Sequence, residues 1–116
     1  ELAAARKLVE SADCMRCHGL DRKFVGPGFT EIAQKYGSQA DAQSYLADKI
    51  RSGSVGVWGN VIMPRHPQIS EADSQQMARW VLSAQALSAE LAKAVRARLD
   101  TLLQTLSWSL RVAHQG

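Results

Sequence analysis

A chain of 116 residues with a formal charge of +3 has room for one domain and little more. Its 14 basic and 11 acidic residues are scattered rather than blocked, which suits an ordinary solvated surface and gives no reason to expect a nucleic-acid partner. Only two cysteines are present, both inside one pentapeptide, so the chain is not a disulfide-stapled miniprotein.

The chain opens at Glu1 without an initiator methionine or a visible secretory signal, as expected of a processed or excised form. Residues 2–12 read as a helix, with Leu2, Ala5, Val9 and Ala12 at three- and four-residue steps. Residues 19–30 read as loop, because three glycines and Pro27 fall within them. Short helices fit 30–36, with Ile32, Ala33 and Tyr36 on one side, and 41–51, with Tyr45, Leu46, Lys49 and Ile50 grouped. Residues 52–69 form a second long loop, rich in glycine and proline yet also carrying Val55, Val57, Trp58, Val61, Ile62 and Met63. A long apolar loop without periodicity is expected to wrap over something. No strands are expected anywhere.

A further helix starts after Ser70, a plausible N-cap with Glu71 and Asp73 in the first turn. Met77, Trp80, Val81 and Ala84 mark its buried face. From Leu87 the apolar residues Leu91, Val95, Leu99, Leu102, Leu106 and Leu110 follow in steps of three and four, an amphipathic stripe. Either one helix runs from about Glu71 to Val112, or it breaks near Ser83–Ser88 with Ser88 capping the second part; the break is favoured. No apolar run is long enough to span a bilayer, since the best stretch, Leu99 to Leu110, contains Asp100, Gln104 and two serines.

The chemistry concentrates in Cys14-Met15-Arg16-Cys17-His18. Two thiols three positions apart can form thioethers to the two vinyl groups of one porphyrin, and the adjacent histidine then falls beneath the iron. Competing readings are weaker. A zinc site needs further ligands in register, and His66 and His114 have no finger-like spacing. A thioredoxin-type motif needs strands around it. A plain structural disulfide stays open on the pentapeptide alone. A haem would also add apolar surface to a small core.

Haem iron needs a decision on its other face. Met15 lies inside the attachment loop, and Met77 sits on a helix stripe where core packing is its natural role. Met63 stands in the apolar loop just before Pro64 and would give a high-potential His/Met iron. His66 is its rival, and an open site is the third option.

These residues resemble a known family. CMRCH, VGPGF at 25–29, IAQKYG at 32–37, GSVGVWG at 53–59, IMP at 62–64 and MARWVLS at 77–83 are similar, in order, to the bacterial class I cytochromes c of the c551/c552 type. The resemblance covers residues 1–84. It implies an all-α class I cytochrome c fold around one covalent haem c, with Cys14 and Cys17 as thioether attachments and His18 and Met63 as axial ligands. It implies that the Pro27 carbonyl orients His18, and that Trp58 and Lys49 bind a haem propionate. The sequence departs from the pattern at His66, which stands where many relatives carry an asparagine that bonds the methionine sulfur.

The resemblance leaves residues 85–116 as a C-terminal helical extension. Its stripe is expected to pack on the haem domain, to pair with another copy in a homo-oligomer, or to belong to a neighbouring domain. By function, the resemblance implies electron transfer, with iron cycling between Fe(II) and Fe(III), transient redox protein partners and no catalytic residues. The protein would be a carrier or the cytochrome module of a larger redox protein, located in the bacterial periplasm. The alternative is a haem-based sensor or small haem enzyme with an open or displaceable distal site.

Overall fold

A computed structural model describes residues 2–115. The chain is all-α apart from one small hairpin. It runs α1 (Leu2–Ser11), a 3-10 turn (Cys14–Arg16), α2 (Phe29–Tyr36), α3 (Ala42–Ser52), β1 (Ser54–Val55), β2 (Ile62–Met63), α4 (Glu71–Leu82) and α5 (Ala84–Gln115). By its internal contacts the chain divides into two compact units, Glu1–Ala86 and Leu87–Gly116.

In the first unit α4 is the hub, and α1, α2 and α3 all pack against it. The reason lies in its pattern: Ser74, Met77, Ala78 and Val81 recur at helical spacing and are buried, with Trp80 beside them. Met77 is only 1% exposed, which makes it a core residue as its place on the stripe suggested. Ala5 and Val9 form the buried stripe of α1. Phe29 from α2 meets the edge of Trp80 at 5.3 Å. Small residues at these crossings let the helices approach closely, and the aromatic pair fills the remaining space.

Helix ends follow local chemistry. The Ser70 hydroxyl accepts from the Asp73 N–H at 3.0 Å, the N-cap read from the sequence. Glu31 reaches back to the Gly28 N–H at 2.9 Å and so supports the start of α2. Between α4 and α5 the break is a single residue. Ser83 leaves the helical conformation and returns its hydroxyl to the Trp80 carbonyl at 2.6 Å. Ser88 lies inside α5 and caps nothing, because Ser83 already satisfies the turn where the ladder is interrupted.

The expectation of no strands is corrected by the hairpin. Ser54 pairs with Met63 and Val55 with Ile62, antiparallel. Two residues per strand are too few to show a period of two in the sequence. The second unit is a continuation of α5, and its stripe is exposed: Leu91, Val95, Leu99, Leu102, Leu106 and Leu110 are 49–67% accessible, against 8% or less for the buried hydrophobic residues of the first unit. Among the described residues no helix is long and apolar enough to cross a membrane.

Candidate functional site

The CMRCH segment follows α1 directly. Asp13 takes a left-handed conformation (φ 63°), which turns the chain out of the helix and into the Cys14–Arg16 turn. Aspartate tolerates that conformation better than most residues. The Cys17 and His18 N–H groups both donate to the Cys14 carbonyl, so the two thiols and the imidazole are held in one tight turn. Both cysteines are free and half-buried. Burial, opposed by a backbone hydrogen bond and reinforced by Asp13 and Cys17, pushes the Cys14 thiol up to about 11.

His18 is fixed from several directions. Its Nδ1 lies 2.6 Å from the Pro27 carbonyl oxygen. A carbonyl only accepts, so Nδ1 carries the proton and Nε2 keeps its lone pair. Burial lowers the imidazole pKa, against the opposing effect of that bond, and favours the neutral ring that a metal requires. Phe29 stacks on the ring at 5.1 Å and 22°. Gly26 lies so close that a Cβ there would stand 2.7 Å from His18 Cε1.

The loop before α2 is well tied. Gly26 N–H donates to the Cys17 carbonyl at 2.8 Å, Phe29 N–H to Gly19 and Thr30 N–H to Leu20. Its glycines and Pro27 exclude a regular element and allow the backbone to fold directly under the histidine.

Two adjoining cavities meet at this point. The larger encloses about 690 Å³, partly open to solvent, and is lined by Cys17, His18, Pro27, Lys49, Trp58 and Met63 among others. The second, about 470 Å³, is lined by Cys14, His18, Lys49, Met63, Met77 and Val81 among others. His18, Ile32, Leu46, Lys49 and Met63 line both. Every site residue read from the sequence therefore borders this cleft, with one thiol at each cavity. His66 borders neither.

The chemistry of this donor set fits a haem. Two free thiols stand beside a neutral imidazole with one unprotonated nitrogen, and a thioether lines the same apolar space. An apolar cleft with a few convergent polar groups is also the usual form of a cofactor site. Among the described residues no cluster of three or more His, Cys, Asp or Glu side chains exists that would hold a bare metal ion.

Some features were not visible in the sequence. Lys35 Nζ lies 4.7 Å above the Trp58 ring, and Lys49 Nζ lies 5.2 Å from the Tyr45 ring. Tyr36 and Tyr45 meet at 5.0 Å and line the larger cavity. Gly26 and Phe29 as walls of the His18 ring are also new; only the VGPGF string hinted at them.

Comparison with known proteins agrees with this geometry. The cytochrome c family model matches residues 2–85. Cytochrome c-552 of Hydrogenobacter thermophilus is 46% identical over 81 residues, covering 69% of this chain and 81% of that protein. Cytochrome c-551 of Pseudomonas aeruginosa is 42% identical over 76 residues, 66% of this chain and 72% of that protein. Among solved structures, wild-type Nitrosomonas europaea cytochrome c552 matches with a TM-score of 0.66 at 42% identity, covering 68% of this chain and 98% of that one.

Proposed function

Because this chain belongs to the cytochrome c family of haem c electron carriers, with a c-type haem bound covalently, we propose that it transfers single electrons through an iron held between His18 and Met63. The haem supplies a one-electron Fe(III)/Fe(II) couple. The protein's own residues do the rest.

Cys14 and Cys17 anchor the group at one edge. Pro27 holds the His18 ring in one tautomer and orientation, an outer partner of the kind that tunes a metal ligand. Met63, which lines both cavities with His18, would supply the second ligand, and a thioether there would raise the reduction potential. Trp58 and Lys49, which both line the larger cavity, would bind a propionate. Ile32, Leu46 and Val81 keep water from the interior.

The observation that carries this reading is that His18 and Met63 border both cavities of one cleft, with Cys14 on one and Cys17 on the other. Substituting Met63→Ala tests it. The variant should show a lower midpoint potential, lose the long-wavelength sulfur-to-iron band of the oxidised protein, and bind carbon monoxide readily when reduced. An unchanged spectrum would show that Met63 is not the ligand. Ready carbon monoxide binding by the unmodified protein would instead favour a sensor or small enzyme with an open distal site.

The protein serves as a carrier or as the cytochrome module of a larger redox protein, meets redox proteins in brief encounters, and works in the bacterial periplasm. The exposed stripe of the second unit pairs with a second copy of the chain. An uninterrupted apolar seam of this length is an interaction surface rather than a solvated face. Lys93, Asp100 and Arg111 lie on the far side and are suited to water, while Trp108, also exposed, stands outside the stripe. Sedimentation mass reads this directly: a monomer at all concentrations would rule it out.

A further inference from the structure

We infer that His66 and Arg51 form a clamp that holds the Met63 segment on the end of α3 and so positions the sulfur without bonding it, an inference that rests on Met63 as the distal ligand. A helix C-terminus leaves carbonyls without partners. At the end of α3 the Lys49 carbonyl accepts from the Gly53 N–H at 2.8 Å. The next two carbonyls go to one residue of the distal loop. His66 Nδ1 donates to the Ile50 oxygen at 3.2 Å, and the His66 backbone N–H donates to the Arg51 oxygen at 3.1 Å.

The contact is reciprocal. Arg51 Nε donates to the Ile69 carbonyl at 3.0 Å, and its Nη1 lies 3.2 Å from Glu71 at the start of α4. The Ile69 N–H donates in turn to the His66 carbonyl at 3.1 Å, which closes the loop on itself. Beneath it, Gly53 has φ +75°, and a Cβ there would stand 2.5 Å from the Met63 carbonyl oxygen. The Met63-Pro64 backbone therefore rests directly on the helix end. Pairing with Ser54 pins Met63 on one side and the clamp pins it three residues later on the other. His66 Nδ1 is committed to a carbonyl and borders neither cavity, so that nitrogen is unavailable to the sulfur.

Lifting the sulfur from the iron then requires lifting residues 63–66 from α3. Losing one of the bonds that resist this raises the open population about five- to tenfold. Carbon monoxide reads that population, because it takes the position the sulfur leaves.

The experiment uses the full haem-loaded chain with His66→Leu, His66→Gln and Arg51→Ala. Carbon monoxide should enter reduced His66→Leu about five- to tenfold faster than the unmodified protein. Its sulfur-to-iron band should vanish on heating before the helices melt. His66→Gln, which restores an N–H donor, should recover part of the effect, and Arg51→Ala should accelerate entry more modestly. Should His66→Leu not fold, Arg51→Ala decides. Unchanged entry rates, or a band that disappears only in step with global melting, would overturn the clamp alone. Absence of the band in the unmodified protein would overturn the ligand reading and the clamp with it.

Discussion

The two units of this chain treat apolar side chains in opposite ways. In the first, the stripes of α1 and α4 are buried, and glycine- and proline-rich loops fold around a cleft. In the second, a helix without a single glycine or proline between Leu87 and Gln115 exposes its leucines. The solved relative from Nitrosomonas europaea is covered to 98% of its length by 68% of this chain, so a complete cytochrome needs nothing resembling the remainder. Loops that spend backbone freedom to shape a site mark the working part of the molecule. The regular helix of the second unit has an exposed stripe and contributes no residue to the cleft.

This contrast sets the order of substitution effects. The largest belongs to the core hub: Met77→Ala should lower stability by about 2–5 kcal/mol in denaturant unfolding, since the side chain is 1% exposed and borders the cleft. Gly26→Ala should cost about 1–3 kcal/mol, because the new methyl must displace the His18 ring. It should also shift the midpoint potential, which an equal loss of stability elsewhere in the core would not do. Leu99→Ala, on the exposed stripe, should change unfolding of the dilute protein by no more than about 0.5 kcal/mol while reducing its sedimentation mass at higher concentration. A large stability loss from Leu99→Ala in dilute protein would erase the distinction between the two units.

The sequence was most informative where chemistry is local. The pentapeptide places both thiols and the imidazole in one turn, and the Ser70 cap and the Met77 stripe are read from neighbours within one or two helical turns. Helix boundaries at Phe29, Ala42 and Ser52 differ by one residue from the periodicity, because the last turn depends on which carbonyls find partners. What stayed hidden depends on contacts distant along the chain. The Ser54–Met63 pairing, Lys35 above Trp58, and His66 on the carbonyls of α3 join residues 9 to 23 positions apart. No local pattern encodes such pairs. His66 stood out in the sequence as a rival ligand and as a departure at the position of an asparagine, and its actual partners became visible once the loop was folded back on α3. The helix break shows the same limit, since Ser83 and Ser88 are both reasonable stops and only the backbone geometry at Ser83 selects one.

The optical spectrum of the oxidised full-length protein most directly tests whether one cleft holds iron between His18 and Met63. With both residues bound, the long-wavelength sulfur-to-iron band is present, and the reduced protein takes up carbon monoxide only slowly. A spectrum without that band, together with immediate carbon monoxide binding, would contradict the assignment of Met63 and leave the distal side of the cleft open.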